Sequence, residues 1–424
     1  MSELRRVAII GGSRIPFCRS VSKYAKSSNY QMMTAALKGL LEKYELANKD
    51  IDEVVLGAVL KRSKDFNMAR ETLIEAGFKS TTVGLDIQQA CATSLQAAIL
   101  IGNKIALGQI EAGVAGGCDT SSDVPIELSK KLSDTLVGLS KAKTIGQRLG
   151  LIGDLRPKDI IPKLPAIKEP RTNLSMGEHC ELMAQRWSIP RSQQDQLAYN
   201  SHQNGAKAYA DGFMDDLIVE FAGVKRDNNL REDSTLEKLA KLRAAFERSE
   251  KGTLTAANST PLTDGAASVL LCSEEYAKEN NLEVQAYLSF SQAAAVDFVN
   301  DEGLLMAPAY AVPKMLKKAG LTLQDFDFYE IHEAFAAQVL CTLKAWEDEI
   351  FCREKLNLDS PLGSIDMSKL NVKGSSLAFG HPFAATGARI LAQASKLVKE
   401  NGGGRALISI CTAGGMGVCA IIEG

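Results

Sequence analysis

The chain has only four histidines among its 424 residues, at positions 179, 202, 332 and 381. Its nine cysteines, at 18, 91, 118, 180, 272, 341, 352, 411 and 419, are odd in number, with no C-x-x-C pair and no Cys/His spacing of the metal-ligand kind. Neither a disulfide framework nor a resident metal is expected, and a reducing compartment is. A surplus of charge is also missing. Lys and Arg number 49 against 51 Asp and Glu, a net charge of -2 with a pI near 6.2, which leaves no global basic surface for nucleic acid or an anionic membrane. No apolar run approaches the length of a membrane span. An apolar strand-like run begins after six residues, in MSELRRVAIIGG, which leaves no room for a signal or transit peptide. Together these absences read as a cytoplasmic protein with no nucleic-acid partner and no transmembrane segment. With 45% hydrophobic residues over this length, the chain can bury a large core in two or three domains.

What is present is an internal repeat. LANKDIDEVVLGAVL from Leu46 resembles LTLQDFDFYEIHEAF from Leu321, with Asp50 over Asp325 and Asp52 over Asp327, an offset of 275 residues. Upstream of each lies a helical pattern, around MMTAALKGLLEKY and YAVPKMLKKAG, with apolar residues at three- and four-residue spacing. Further on, CATSLQAAILIGNKIALG matches the helix in HPFAATGARILAQASKLV, and Cys118 in GVAGGCDTSS matches Cys411 in LISICTAGGMG, both at an offset of 293. The second copy has therefore gained 18 residues, between Trp346 and Lys369 in a polar stretch that reads as a loop. Alternating apolar strands and amphipathic helices predict an α/β fold duplicated into two halves that build one site between them. Residues 1–124 with 255–275 form the first half and 276–424 the second. Residues 125–254, rich in charge and without a counterpart, read as an insertion covering the site.

Four residues fall at corresponding strand ends of this repeat, where open α/β sheets usually bind ligands: Cys91, His332, His381 and Cys411. Cys91 opens a helix, where unpaired N–H groups and the helix dipole favour a thiolate and so a nucleophile. A free cysteine is more often a small buried hydrophobe, and both readings stand at this point. His381, at the matching junction, has the chemistry of a general base, although a histidine in a Gly-Pro turn is commonly structural. Cys411 ends a strand and enters a glycine run whose backbone can approach a ligand closely. His332 ends a strand and starts a helix. His179 and His202 lie on charged helical patterns of the insertion and read as surface residues.

Five ordered motifs carry a resemblance along essentially the whole chain: QQACATSLQAA, GTLTAANSTPLTDGAAS, HEAFA, FGHPFAATGAR and CTAGGMG. In these the chain resembles the thiolases, which are acetyl-CoA acyltransferases. The histidine of HEAFA and the phrase GHPFAATGAR resemble the β-subunits of bacterial fatty-acid oxidation complexes more than short-chain biosynthetic thiolases, which usually carry Asn-Glu-Ala-Phe. The resemblance implies a layered α-β-α-β-α fold with an inserted loop domain, 125–254, over a coenzyme A site. It also implies cleavage of 3-ketoacyl-CoA by CoA, through an acyl-cysteine, to acetyl-CoA and a shortened acyl-CoA.

By motif position the resemblance makes Cys91 the acylated nucleophile, His381 its base and Cys411 the acid/base acting on acetyl-CoA. His332 joins His381 at one thioester oxygen, and the backbone N–H groups of Cys91 and Ala413 serve the other. Arg231, Thr260, Met176 and Gly177 are the implied CoA or acyl contacts. Ser375 and Ala413 stand where the family usually has glycine, and neither change removes a catalytic group. CoA and acyl-CoA are implied as substrates with no permanently bound cofactor, and a homodimer or dimer of dimers is implied as the assembly. A larger subunit with hydratase and 3-hydroxyacyl-CoA dehydrogenase activities is the further implied partner. The rivals are a short-chain acetyl-CoA acetyltransferase, a ketoacyl synthase with a Cys-His-His site, and a non-catalytic acyl-CoA-binding or scaffolding subunit. The Cys411 box argues against the synthase, and the complete Cys91, His381 and Cys411 set argues against the scaffold.

Overall fold

Among the described residues, ten strands and the helices between them place the repeat in space. In the computed structural model, which describes residues 4–300 and 302–424, the strands are β1 (Val7–Arg14), β2 (Cys18–Arg19), β3 (Glu53–Leu56), β4 (Val83–Asp86), β5 (Ala112–Asp119), β6 (Thr263–Ser273), β7 (Ala286–Ala295), β8 (Phe328–Ile331), β9 (Arg405–Thr412) and β10 (Met416–Glu423). Their order is β4-β3-β5-β6-β1-β7-β10-β9-β8, with β2 alongside β6. The run β3-β5-β6-β1 is answered by β8-β9-β10-β7, so the halves mirror each other about the short antiparallel contact of β1 with β7, at Ala8–Tyr287 and Ile9–Ala286. The offset of 275 carries β3 onto β8, and that of 293 carries β5 onto β9 and the helix Thr93–Ala106 onto Thr386–Glu400.

Three apolar layers separate the elements. The first packs Met32, Met33, Leu37 and Leu40 of the helix Asn29–Lys43 on Ile10, Val54, Val114 and Leu270. That helix starts at Ser28, whose side chain accepts from the Gln31 N–H while Gln31 reaches back, a capping box. The middle layer holds both central helices between the two half-sheets, with Leu95, Ile101, Ile390 and Leu391 against Ile9, Val269, Ile408 and Val418. The third packs Val312, Met315 and Leu316 of the helix Ala307–Ala319, and Val339 and Trp346 of the helix Ala336–Glu347, on Ile331, Leu407 and Ile421. Neighbouring strand residues face different layers, Val54 the first and Val55 the second, as the two-residue period of a strand requires. The result is the layered α-β-α-β-α arrangement.

The central helices meet at their starts. Every residue from Thr386 to Val398 is buried, as befits a helix with no solvent face. Several polar ones among them find partners: Arg389 reaches Ser375 and Ser376 through its terminal nitrogens, Gln393 reaches Glu330 and the Gly374 carbonyl, and Lys396 reaches the Phe213 carbonyl. A Cβ on Gly387 would sit 2.3 Å from the Leu95 nitrogen, and the Ala388 N–H donates to Ser94 Oγ at 2.8 Å. Gly387→Ala is therefore expected to force the helices apart at a cost of roughly 1–3 kcal/mol, as overpacking typically does. A thermal melt unchanged from the parent would contradict this account of the contact.

Within 125–254 two parts differ. The helices Met176–Arg186 and Arg191–Ala210 pack on the second half; Leu197 and Ala198 enter its third apolar layer. The helix Ile145–Gly153 has no buried residue, and Ile145, Leu149 and Ile152 are exposed. The 18 extra residues of the second half supply a short helix, Glu349–Glu354, and an irregular stretch before Met367–Lys369. Among the described residues no helix is long and apolar enough to cross a membrane, and all nine cysteines are free.

Candidate active site

Cys91 stands on a strained turn. After β4 the chain makes a single 3-10 turn, Ala90–Ala92, and the regular helix begins only at Thr93. Ala90 has φ +45°, a left-handed conformation uncommon for alanine. Thr93 holds it there, since its hydroxyl accepts from the Gln89 N–H at 2.8 Å and donates to the Ala90 carbonyl at 2.7 Å. The half-buried Cys91 thiol does not have the lowered pKa expected of a helix start: burial pushes it up to about 12. The N–H groups of Ala413 and of Cys91 itself work the other way, and the nearby Asp119 carboxyl adds to the rise. The helix-start expectation fails because a tight turn intervenes and water is excluded.

Two imidazoles meet this sulfur. His332 follows β8, its backbone N–H donating to the Ser409 carbonyl of β9 at 2.8 Å. His381 follows Gly380, whose φ of +103° and whose approach to Thr263, 2.7 Å from a notional Cβ, exclude a side chain. The His381 N–H donates to Thr263 Oγ1 at 3.1 Å. The rings lie 4.2 Å apart between centroids. Each Nδ1 is engaged away from the cleft, His332 with Ser376 Oγ at 2.8 Å and His381 with Thr386 Oγ1 at 2.6 Å. Each Nε2 is buried without a hydrogen-bond partner in the protein. One ligating atom from each of Cys91, His332 and His381 lies within 4.8 Å of the others. Burial lowers both histidines, His332 well below its usual range and His381 to about 3, with His381 and Arg389 adding to the shift of His332 and Arg389 to that of His381. The resting site therefore holds a neutral thiol against neutral imidazoles.

The hydroxyl partners suit the role each ring would play. Ser376 Oγ accepts from Arg389 Nη2 at 2.8 Å, and when its own hydrogen goes to His332 Nδ1, His332 carries its hydrogen on Nε2, facing the cleft. On His381, an Nδ1–H donated to Thr386 leaves Nε2 as the acceptor a thiol proton needs.

Cys411 closes the site from β9. It is 1% exposed, and its thiol is raised well above the usual range by burial first and by the neighbouring Cys91 sulfur second. Beyond it the chain turns through Ala413–Gly415, with Gly414 at φ +75° and its N–H donated to Glu169 Oε1 of the insertion. Ala413 keeps a negative φ, so its Cβ costs nothing there, and Ser375 is extended at φ −142°. Neither substituted position needs a glycine. Behind Cys91, the buried Asp119 accepts from the N–H groups of Val59, Leu60 and Ala384, tying the first half to the turn that follows His381. Its carboxyl is raised to about 7 by burial, and those three bonds oppose the shift. Asp119, Ser376, Thr386 and Thr263 escaped sequence reasoning. For Asp119 the available signal was its place after Cys118 in the repeat.

The four remaining candidates take different positions. Arg231 is exposed and lines a cavity of about 280 Å³ with Arg19, His202, Lys238, Ser259 and Leu377. Ser259 bridges to Phe335 of HEAFA and Leu262 to His381, so this cavity adjoins the chain segments of the histidine pair. Thr260 is committed internally, its N–H and hydroxyl both donating to the Ala334 carbonyl. Met176 packs at the edge of the apolar cluster that contains Cys411, Ala334 and Phe335. Gly177 admits the ring of Phe246, which stacks edge-on against Phe335. His179 and His202 are buried, against the surface reading. Their helices turn those faces onto the body of the protein, where His179 meets Thr172 and Phe298, and His202 Nδ1 accepts from the Arg231 N–H.

Two family models match the chain, Thiolase, N-terminal domain, over residues 7–275 and Thiolase, C-terminal domain, over 282–424. The chain belongs to the thiolase family. It is thus an acyltransferase by family. It is 43% identical over 424 residues to a 3-ketoacyl-CoA thiolase of Vibrio cholerae, covering 99% of this chain and 97% of the relative. A Shewanella loihica 3-ketoacyl-CoA thiolase is 42% identical with both chains fully covered. Among solved structures, the acetyl-CoA acetyltransferase of Bacillus anthracis superposes with TM-score 0.81 at 30% identity over the whole of both chains. Human mitochondrial 3-ketoacyl-CoA thiolase in complex with CoA gives TM-score 0.81 at 26% identity, covering 100% of this thiolase and 99% of the human chain.

Proposed function

We propose that this thiolase cleaves 3-ketoacyl-CoA with a second CoA, giving acetyl-CoA and an acyl-CoA shortened by two carbons, the last step of a β-oxidation cycle. The observation that carries the reading is the convergence of Cys91 with His332 and His381, both Nε2 atoms unpartnered, and with the Ala413 N–H on the sulfur. Cys91 attacks the 3-keto carbon while His381 Nε2 takes the thiol proton. The N–H groups of Cys91 and Ala413 hold the oxygen that becomes negative. The carbon–carbon bond then breaks to leave the enolate of acetyl-CoA, whose oxygen lies against the His332 and His381 Nε2 hydrogens. Cys411 protonates the enolate carbon. The incoming CoA thiol gives its proton to the Cys411 thiolate and takes the acyl group from Cys91, whose departing sulfur recovers its proton from His381. Each step places negative charge where fixed donors already point, which is where most of the rate enhancement is expected.

CoA is assigned to the cavity of Arg231, with Arg19 supplying further positive charge for its phosphates while Lys238 is paired with Asp233 of the same lining, and Met176 is assigned to the acyl chain. The short-chain acetyltransferase reading finds support in the Bacillus anthracis structure, but the higher identity to 3-ketoacyl-CoA thiolases favours the degradative one. The edge strand β4 exposes Val83 and Leu85, a face suited to a symmetric dimer. A cytoplasmic dimer or dimer of dimers, supplied by a subunit with hydratase and 3-hydroxyacyl-CoA dehydrogenase activities, completes the reading. Each methylene buried in the acyl site adds about 0.8 kcal/mol, so kcat/KM for thiolysis is expected to rise from acetoacetyl-CoA to medium and long 3-ketoacyl-CoA. A monomer that prefers acetoacetyl-CoA would return the protein to the short-chain class.

A further inference from the structure

We propose that the trio Cys91, His332 and His381 is also a capture site for Zn²⁺, at which free zinc reversibly shuts the enzyme off. Nothing in the local sequence spacing announces such a site; the fold assembles it from three distant segments. Zinc takes thiolate and imidazole ligands at about 2.0–2.3 Å, and a tetrahedral ion therefore wants them roughly 3.5 Å apart. The three ligating atoms here are within 4.8 Å of one another, so each need move by less than about 1 Å.

The second observation is the state of the rings. Both Nε2 atoms are buried without a protein partner, on histidines 0% and 5% exposed, while both Nδ1 atoms are held by hydroxyls at 2.8 and 2.6 Å. That is the outer-shell arrangement that orients histidine toward a metal. A hydroxyl serves either ring tautomer. Turning the Ser376 hydrogen aside lets His332 carry its hydrogen on Nδ1, still facing Ser376 Oγ, and frees Nε2 to bind. The sulfur binds as thiolate and its proton passes to solvent, so zinc occupies the nucleophile, its base and an oxyanion donor at once. The fourth position remains for water or an incoming thiol.

Metal binding stands on this geometry alone, while its inhibitory consequence rests on Cys91 being the acylated residue, and the test separates the two. The intact protein is titrated with Co²⁺, whose sulfur-to-cobalt absorption reports a thiolate ligand without any substrate. One cobalt per chain with that band is expected, displaced by Zn²⁺, absent in Cys91→Ala, and bound at least about 100-fold more weakly in His332→Asn or His381→Asn, beyond the 10- to 100-fold cost of disturbing an outer shell. In the parent, needing no variant, equimolar Zn²⁺ should protect Cys91 from iodoacetamide and block its acylation by acyl-CoA, and EDTA should restore both. A band that survives Cys91→Ala, or zinc that inhibits while Cys91 alkylates at its usual rate, would overturn the proposal. Zinc capture in a protein that never acylates Cys91 would leave the site standing and sink the thiolase mechanism instead.

Discussion

Cys411→Ser is expected to retain acylation of Cys91 by acyl-CoA and to lose carbon–carbon cleavage by about 100- to 10,000-fold, the usual consequence of removing a general acid/base. Cys411 is 1% exposed and its thiol is held protonated by burial, which suits a group whose task is to give a proton to an enolate carbon. A serine hydroxyl fits the same space but is a weaker acid by several powers of ten. The loss should fall on kcat, because Cys411 acts on the enolate and not on bound substrate. Stopped-flow thiolysis, paired with the mass of the Cys91 peptide, separates the two steps. Parent-like turnover would make Cys411 a packing residue of its apolar cluster.

His381→Ala should reduce acylation itself, by a similar 100- to 10,000-fold. With the Cys91 thiol raised to about 12, thiolate is only about one part in 100,000 at pH 7, against a few per cent for an ordinary cysteine. Attack in the parent therefore depends on the neutral imidazole taking the proton. Burial depresses His381 to about 3, so the neutral, competent form is present above that value and is lost only as pH falls through it. The thiol's proton is lost only near 12. Between pH 5 and 9 the alkylation of Cys91 by iodoacetamide is accordingly expected to be flat in the parent. In His381→Ala it should climb about tenfold per pH unit, following the thiolate fraction. A parent profile with a step near 6.5 would mean that His381 titrates as an exposed histidine does.

Periodicity and repetition made the scaffold legible. The two offsets predicted which strand and helix pairs correspond, and the shared strand ends singled out Cys91, His332, His381 and Cys411, which the fold brings to one cleft. What escaped depended on through-space environment. The pKa of Cys91 is governed by exclusion of water, which no local pattern records. His179 and His202 looked exposed because their helices are polar, yet their faces pack on the body of the protein. Ser376 and Thr386 are ordinary residues in the sequence and acquire meaning only beside an imidazole. The exposed Ile145, Leu149 and Ile152 run the other way, apolar residues that found no core.

Cys91 is the residue expected to carry the acyl group. The most direct measurement is to mix the protein with one equivalent of acyl-CoA in the absence of free CoA, quench in acid, and determine peptide masses across the chain. One acyl increment is expected on the peptide containing QQACATSLQAA, abolished in Cys91→Ala, retained in Cys411→Ser and removed on addition of CoA. An increment on the Cys411 peptide alone, or none on any cysteine, would contradict it.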